Sequence, residues 1–290
     1  MFLIILVSSL VVGSVYGLIA LGYSLIYRSS GLMSFAQGDM LTMGAFLGYT
    51  LYGILHIPYI ISLIIVTVSM FFAGMLIERG VIRRLQSKNV LAIYTVLATI
   101  AISYIIQNGA MFTWGTDMKP FPPVFALREI NLFGRGIQTE SAFCVLVGLV
   151  AMGVLHVFMN FTSLGTSMRA AAMDPLAARA CGIDVSLTVG FSWGIAAGIA
   201  ALAGMLIGPV YGVYTTFGAT IGRKGFSSAV IGGYGNMIGA ILGGLLLGIV
   251  ETFTAAYVSS AYKDLVAYTL LILFLFVKPA GLLNERAIVD

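Results

Sequence analysis

The chain has 290 residues, of which 60% are hydrophobic and only 9% are charged. A soluble domain usually carries about 25% charged residues, so these side chains cannot cover a water-facing surface. So high an apolar content also excludes disorder. The net charge of +4 resides mostly in a few loops, a pattern that favours membrane orientation over a nucleic-acid surface. The composition therefore indicates an integral membrane protein with no nucleic-acid partner.

The N-terminal segment reads as a membrane span. Met1 leads into apolar sequence without a basic stretch, so we expect a first span within Met1–Tyr27 and no cleaved signal peptide. Cys144 and Cys181 are the two cysteines. Their spacing does not resemble a metal site, and we do not expect them to form a disulfide.

Hydropathy predicts eight crossings. A helix needs about 20 mostly apolar residues to cross about 30 Å of hydrocarbon. The long apolar run after Met40 is divided near Pro58, so it contains two helices. The predicted spans are 4–27, 36–55, 58–78, 90–112, 140–160, 186–208, 237–258 and 262–278. We therefore predict an all-α polytopic membrane protein, with 1–290 as a single transmembrane domain.

Basic residues set the orientation. Loops rich in Lys and Arg usually face the cytoplasm. The residues that we assign to the cytoplasm on this ground are Arg79, Arg83, Arg84, Lys88, Arg169, Arg179, Lys278 and Arg286. The loop 114–139 is then external. For the last span to end inside, 213–236 must also cross, as a broken, half-helical segment, and the N-terminus must lie outside.

Glycines indicate close helix packing. The chain has 35 glycines, and small residues spaced four apart let membrane helices approach closely. The segments Gly38–Gly48 and Gly235–Gly243 also echo each other, and each follows a Gly- and Ser-containing polar break. Duplicated halves with broken helices near a central site are common in transporters.

No catalytic motif is convincing. Gly218–Gly225 lacks the adjacent Gly-Lys and the following Ser/Thr of a phosphate loop, and Gly165–Arg169 lacks the second glycine of a nucleophile elbow. His56 and His156 lie at the ends of different predicted spans, as interfacial residues do. We therefore predict no enzyme activity, no cofactor and no metal site in this chain. If ATP drives the process, another subunit must hydrolyse it.

The most informative segment is the predicted cytoplasmic loop 163–185. It is rich in alanine and therefore helix-prone, and Gly182 is a plausible helix C-terminus. A short helix parallel to the membrane, with small residues on one face, suits a groove on a partner protein. An ordinary amphipathic connector is the alternative.

This loop resembles the cytoplasmic coupling loop of ABC-importer permeases, specifically the branched-chain amino-acid (Liv-type) permease family. That family's pattern is Arg-Ala, an acidic residue, a later Ala, and then Gly-Ile. Other segments that resemble family signatures are Gly17–Tyr23, Ser34–Asp39, Phe226–Gly235, Tyr262–Asp264 and Lys278–Leu282. The resemblance covers nearly the whole chain.

Three positions depart from the family's Asn-Phe-Ala-His-Gly-Glu signature. Ser34, Gln37 and Asp39 stand where Asn, His and Glu are usual. The family includes permeases for branched-chain amino acids, amides, urea and some aromatic acids. The substrate therefore stays open at this point, as an amino acid or a related small polar or carboxylate solute.

The resemblance implies an ABC importer permease bundle in the bacterial inner membrane, surrounded by lipid. This chain would form half of a translocation path with a homologous second permease subunit. Two cytoplasmic ATPase subunits would bind ATP and Mg, and a periplasmic binding protein would deliver the substrate. ATP binding and hydrolysis would switch the permease pair between outward- and inward-facing states, because the partners would bind the two conformations with different affinities.

Two sets of site residues follow. The residues predicted to contact the ATPase are Arg169, Ala171, Asp174, Ala178, Gly182 and Ile183. The residues predicted to line the path are Gln37, Asp39, Lys224 and Glu251, because ionisable groups at membrane depth usually face the bundle interior or water. Lys224 could attract a substrate carboxylate or extend to the interface. Glu251 could instead pair with a neighbouring helix.

Other functions compete with the importer. An ion-driven secondary transporter could use Asp39 or Glu251 to carry a proton, but it would not need the loop 163–185. A passive channel for a small solute could be lined by glycine-rich helices. A membrane-embedded hydrolase or transferase would need a nucleophile–base pair, for which the sequence offers no credible candidate.

Overall fold

The computed structural model describes residues 2–88, 91–125, 129–132 and 135–283. These residues are almost entirely helical, as the composition predicts. The helices are α1 (Phe2–Ser30), α2 (Gln37–Gly48), α3 (Tyr59–Ile77), α4 (Arg83–Ser87), α5 (Ala92–Trp114), α6 (Thr139–Phe161), α7 (Ser163–Met173), α8 (Pro175–Ala180), α9 (Val185–Tyr211), α10 (Phe217–Gly232), α11 (Met237–Tyr257) and α12 (Lys263–Val277). Two short antiparallel strands, β1 (Glu129–Leu132) and β2 (Arg135–Gln138), form a hairpin in the predicted external loop. The tail residue Arg286 lies outside the described residues.

Seven helices among the described residues are long and apolar enough to span a membrane. They coincide with seven of the eight predicted spans. The eighth predicted span, 36–55, is helical over nearly the same residues but is not one of these seven: α2 has 12 residues and continues as π-helical turns over Tyr49–Ile54. Gln37, at the start of α2, binds the backbone of Ala196 near the middle of α9. The segment therefore begins halfway through the bundle.

The segment 213–236 connects the two ends of the bundle, as the parity argument predicts. The Val213 and Lys119 backbones pair beside the loop predicted to be external, and Gly212 supplies the positive φ of 77° at that end. α10 follows, and at its other end the backbone N–H of Leu282 donates to Ile231. α10 thus begins inside the bundle beside Gly38 and runs to the end that holds the C-terminal segment, so that 213–236 as a whole connects the two ends.

The N-terminus lies at the same end as the predicted external loop. Phe2 makes an edge contact with Phe253, near the end of α11, whereas Tyr27 contacts Tyr234, just before α11 begins. α1 and α11 are therefore antiparallel. This placement agrees with an external N-terminus in the orientation that the basic residues predict.

Glycine contacts hold α10 and α11 in the interior. A Cβ on Gly244 would collide with the backbone of Gly17 in α1. A Cβ on Gly232 would likewise collide with Gly239, so these helices meet backbone to backbone. Such close approach is the role that small residues have in membrane bundles. α1 and α9 are mostly buried, whereas α3, α5, α6 and α12 form the periphery.

Candidate translocation and coupling sites

A cavity of about 660 Å³ lies between α2, α5, α10 and α12. We call it the central cavity. The polar residues that line it are Asp39, Ser103, Tyr104, Gln107, Arg223 and Tyr268, together with Ser227 and Tyr23. The larger apolar residues that line it are Phe35, Ile100, Phe226 and Leu271. Its volume falls within the range of about 300–1,000 Å³ that is usual for small-molecule sites.

The central cavity exists because the chain interrupts its helix inside the bundle. α1 ends at Ser30, Gly31 has a φ of 66°, and the chain is non-helical until Gln37. α2 then begins without a side-chain cap. The Gln37 amide donates to the carbonyl oxygen of Ala196 at 2.6 Å, which fixes the start of α2 against α9. Irregular backbone at membrane depth is tolerated where it is buried in protein or lines a cavity.

Gln37 and Asp39 have buried oxygen atoms that lack partners. Ser103 donates a hydrogen bond to Oδ2 of Asp39. Among the described residues, Oδ1 of Asp39 and Oε1 of Gln37 accept no hydrogen bond, although both side chains are buried. An unpaired buried acceptor is costly, and a charged one more so. Both residues therefore have hydrogen-bonding capacity to spare, but only Asp39 lines the central cavity, whereas Gln37 faces α1 and α9.

Lys224 and Glu251 form a separate, fully paired cluster. Nζ of Lys224 lies 2.5 Å from Oε1 of Glu251 and 2.7 Å from Oδ1 of Asp264. The Tyr16 hydroxyl donates to Oε2 of Glu251 at 2.8 Å. Lys224, Glu251 and Tyr16 are all buried, so Lys224 does not extend to the interface and Glu251 pairs across helices. Of the four predicted path residues, only Asp39 therefore lines the central cavity.

A second cavity, of about 250 Å³, borders this cluster. It lies toward the predicted external end, beside Tyr211 and Phe217, and Lys263 also lines it. The charges of Lys224 and Glu251 neutralise each other at its wall. The arrangement ties α1, α10, α11 and α12 together and leaves no unpaired charge on Lys224 to attract a substrate carboxylate.

The predicted coupling loop forms two short helices instead of one. The Thr162 side chain caps α7, the Asp174 side chain caps α8, and the Asp184 side chain caps α9. Gly182, with a φ of 82°, provides the left-handed turn after α8. Each direction change in the segment is therefore fixed by a side-chain cap or by this glycine.

The six predicted coupling residues have different environments. Ala171 and Ala178 are buried against the permease itself. Arg169 donates to Asn160 at 3.3 Å, and Asp174 is occupied as the cap of α8. Gly182 is exposed and Ile183 is half-buried.

Two apolar residues of this segment were missed by the sequence analysis. Met173 and Leu176 have 79% and 76% of their surface exposed, at the elbow between α7 and α8. Contiguous exposed apolar patches mark interaction sites, so we add these two residues to the candidate coupling residues. The signal available in the sequence was their position beside Asp174-Pro175, which ends one helix and starts the next.

Comparison with known proteins establishes the class. A model of the family described as "Branched-chain amino acid transport system / permease component" matches residues 5–275. The chain therefore belongs to this family of ABC importer permeases and is a non-catalytic, multi-pass subunit of the inner membrane. The resemblance seen in the sequence motifs is confirmed. Among the described residues, no cluster of three metal-ligating side chains occurs.

Individual relatives are similar over nearly their whole length. The "High-affinity branched-chain amino acid transport system permease protein LivH" of Salmonella typhimurium is 33% identical over 94% of this chain and 92% of its own. The corresponding protein BraD of Pseudomonas aeruginosa is 33% identical over 97% and 95%. A solved chain of PsaBC from Streptococcus pneumoniae in complex with Fab covers 94% of this chain and 91% of its own, with a TM-score of 0.49 and 14% identity, too distant to bear on function.

Proposed function

We propose that this permease forms half of the import path for branched-chain amino acids, with a homologous second permease as the other half. A periplasmic binding protein would deliver the substrate, and two ATPase subunits would bind ATP and Mg on the cytoplasmic side. The names of the full-length relatives LivH and BraD support the substrate class. ATP hydrolysis would shift the pair between two states with different affinities for the substrate and for the partners.

The elbow between α7 and α8 carries this proposal. Met173 and Leu176 project from a segment whose turns are fixed by Asp174 and Gly182. A rigid, apolar projection suits a groove on another protein, because little conformational entropy is lost when it binds. The buried Ala171 and Ala178 would then support this surface from behind, while Met173 and Leu176 make the contact.

The test is co-purification of the ATPase subunits with the tagged permease pair in mild detergent. Met173→Glu combined with Leu176→Glu should abolish co-purification and ATP-dependent uptake, because charges would be buried in an apolar groove. Gln86→Glu is the matched control, since it adds a charge at an exposed residue of another cytoplasmic segment. Retention of the ATPases by the double variant, with an unchanged size-exclusion profile, would contradict this docking site.

The substrate and the energy source need a separate measurement. Proteoliposomes that contain the assembled complex should accumulate labelled leucine when ATP and the binding protein are present. Uptake driven by a proton or sodium gradient without ATP would indicate the secondary transporter. Flux of the solute down its gradient without nucleotide would indicate the channel.

A further inference from the structure

We infer that the central cavity is the site at which a zwitterionic α-amino acid with an apolar side chain pauses during transport. Asp39 would bind the ammonium group and Arg223 the carboxylate, and Phe35, Phe226 and Leu271 would surround the side chain. This inference rests on the proposed import function and adds to it the place and the chemistry of recognition.

Asp39 has the properties of an ammonium receptor. Its carboxylate is buried, one oxygen accepts from Ser103, and the other has no partner among the described residues. Buried polar groups in folded proteins are nearly always hydrogen-bonded, so an orphaned oxygen beside a cavity needs an explanation. A substrate ammonium supplies both the missing donor and the missing positive charge.

Arg223 is suited to bind the carboxylate. It lines the same cavity from α10 and is exposed. Within the described part of the chain, its guanidinium makes no ion pair and no hydrogen bond, whereas the adjacent Lys224 is paired twice. A guanidinium binds a carboxylate through two parallel hydrogen bonds, which fixes its orientation as well as its charge.

The remaining wall of the cavity selects the side chain. Phe35 and Phe226 have ring centroids 5.8 Å apart, and Ile100 and Leu271 complete an apolar surface. Burial of an aliphatic side chain against this surface is favourable in proportion to its apolar area. The combination of one acidic group, one basic group and an apolar wall matches leucine, isoleucine and valine better than an amide or urea.

The mouth of the central cavity carries polar groups at membrane depth. Tyr104 is exposed and Gln107 is half-buried in the spanning helix α5, and Arg223 is exposed in α10. Polar and charged residues within a membrane almost always face protein or a water-filled cavity. This face is therefore covered by the second permease subunit, and the central cavity faces the path between the two.

The test uses the diazirine analogue of leucine as a photoaffinity probe on the complete complex with ATPases and binding protein. We expect labelled peptides that contain Phe35, Phe226 or Leu271. Asp39→Asn and Arg223→Gln should each reduce labelling about tenfold or more, as expected for loss of one charge-assisted hydrogen bond. Tyr211→Phe, in the wall of the second cavity, is the matched control and should label like the wild type.

Competition separates the two roles. Leucinamide keeps the ammonium group, and 4-methylpentanoate keeps the carboxylate. In the wild type, leucine should compete with the probe far better than either analogue. In the Asp39→Asn variant, leucine and 4-methylpentanoate should compete with the probe equally well. In the Arg223→Gln variant, leucine and leucinamide should compete with the probe equally well.

The outcomes distinguish the two proposals. A complex that transports leucine with ATP but is labelled elsewhere, or whose variants keep the wild-type competition pattern, overturns the site while the import function stands. A wild-type complex that does not transport leucine overturns the proposed function itself. Retained co-purification of the ATPases shows that each variant is folded.

Discussion

Two buried polar clusters beside α10 differ in how their charges are satisfied. Lys224 has two carboxylate partners, and Tyr16 binds the remaining oxygen of Glu251. Asp39, by contrast, has one donor and a second oxygen without any among the described residues. A satisfied cluster fixes helices to one another, whereas an unsatisfied group beside a cavity is available to a ligand. The difference separates Asp39 from Lys224 and Glu251, for which the sequence analysis left a structural role open.

The largest effect should follow from breaking the paired cluster. Lys224→Met leaves the buried Glu251 without its ion pair, which should lower the free energy of unfolding by about 3–5 kcal/mol. Thermal unfolding in detergent, followed by size exclusion, measures the loss. Lys224→Met with Glu251→Leu should regain most of it, because both charges are removed. A single variant as stable as the wild type would show that the pair does not hold the fold.

A smaller loss should follow from separating the helices that carry the cluster. A Cβ on Gly248 would meet the backbone of Gly13, so Gly248→Ala pushes α11 away from α1 and Glu251 away from Tyr16. Overpacking of this kind costs about 1–3 kcal/mol. Gly153→Ala is the control, because nothing lies within 4 Å of its added methyl group. Equal unfolding temperatures for the two variants would contradict the tight α1–α11 contact.

Asp264, at the exposed edge of the paired cluster, should contribute less to the free energy of unfolding. The Asp264 side chain is 52% exposed, and Lys224 keeps Glu251 when Asp264 is changed. Asp264→Asn should therefore cost about 0–1 kcal/mol, as for a solvent-exposed ion pair. The same unfolding assay measures it. A loss as large as that of Lys224→Met would mean that Asp264 is the principal partner.

The unsatisfied cluster should show the smallest effect on stability and a large one on transport. Asp39→Asn keeps the shape of the side chain and its contact with Ser103, and it removes a buried charge that lacks a full set of partners. We expect an unfolding temperature close to that of the wild type and little leucine uptake. An unfolding temperature as low as that of Lys224→Met would make Asp39 a structural residue and remove the contrast.

Seven of the spans were predictable because the thickness of the bilayer limits their length. The crossing of 213–236 followed from the basic residues and from parity. The span 186–208 leaves the cytoplasmic side and the last span must end there, so an even number of crossings is needed between them. The six residues between Ser30 and Gln37 contained the signal for a broken helix in Gly31 and Ser34, and hydropathy placed the span that follows at 36–55.

Pairing of Glu251 with a neighbouring helix was one of the alternatives, but its partner could not be predicted. Lys224 and Glu251 are on different helices, and no local pattern in the sequence relates them. Likewise, alanine content predicted the helices of the coupling segment but not their buried face, because Ala171 and Ala178 fit an interior or a surface equally well. The exposed Met173 and Leu176 follow from the turn at Asp174, which fixes the direction of α8 relative to α7.

The glycine contacts of α10 have a mechanical consequence. Gly218 meets Gly38 and Gly232 meets Gly239 through bare backbone, and the side chains of Lys224 and Phe226 join α10 to α11 and α1. Contacts this close leave no room for α10 to slide along α2, so we expect the two helices to move as one rigid body. Cysteines at Thr42 and Ala219 should therefore cross-link at rates that do not depend on bound nucleotide. Rates that change with nucleotide would show that α10 shifts along α2, as packed helices do in shear motions.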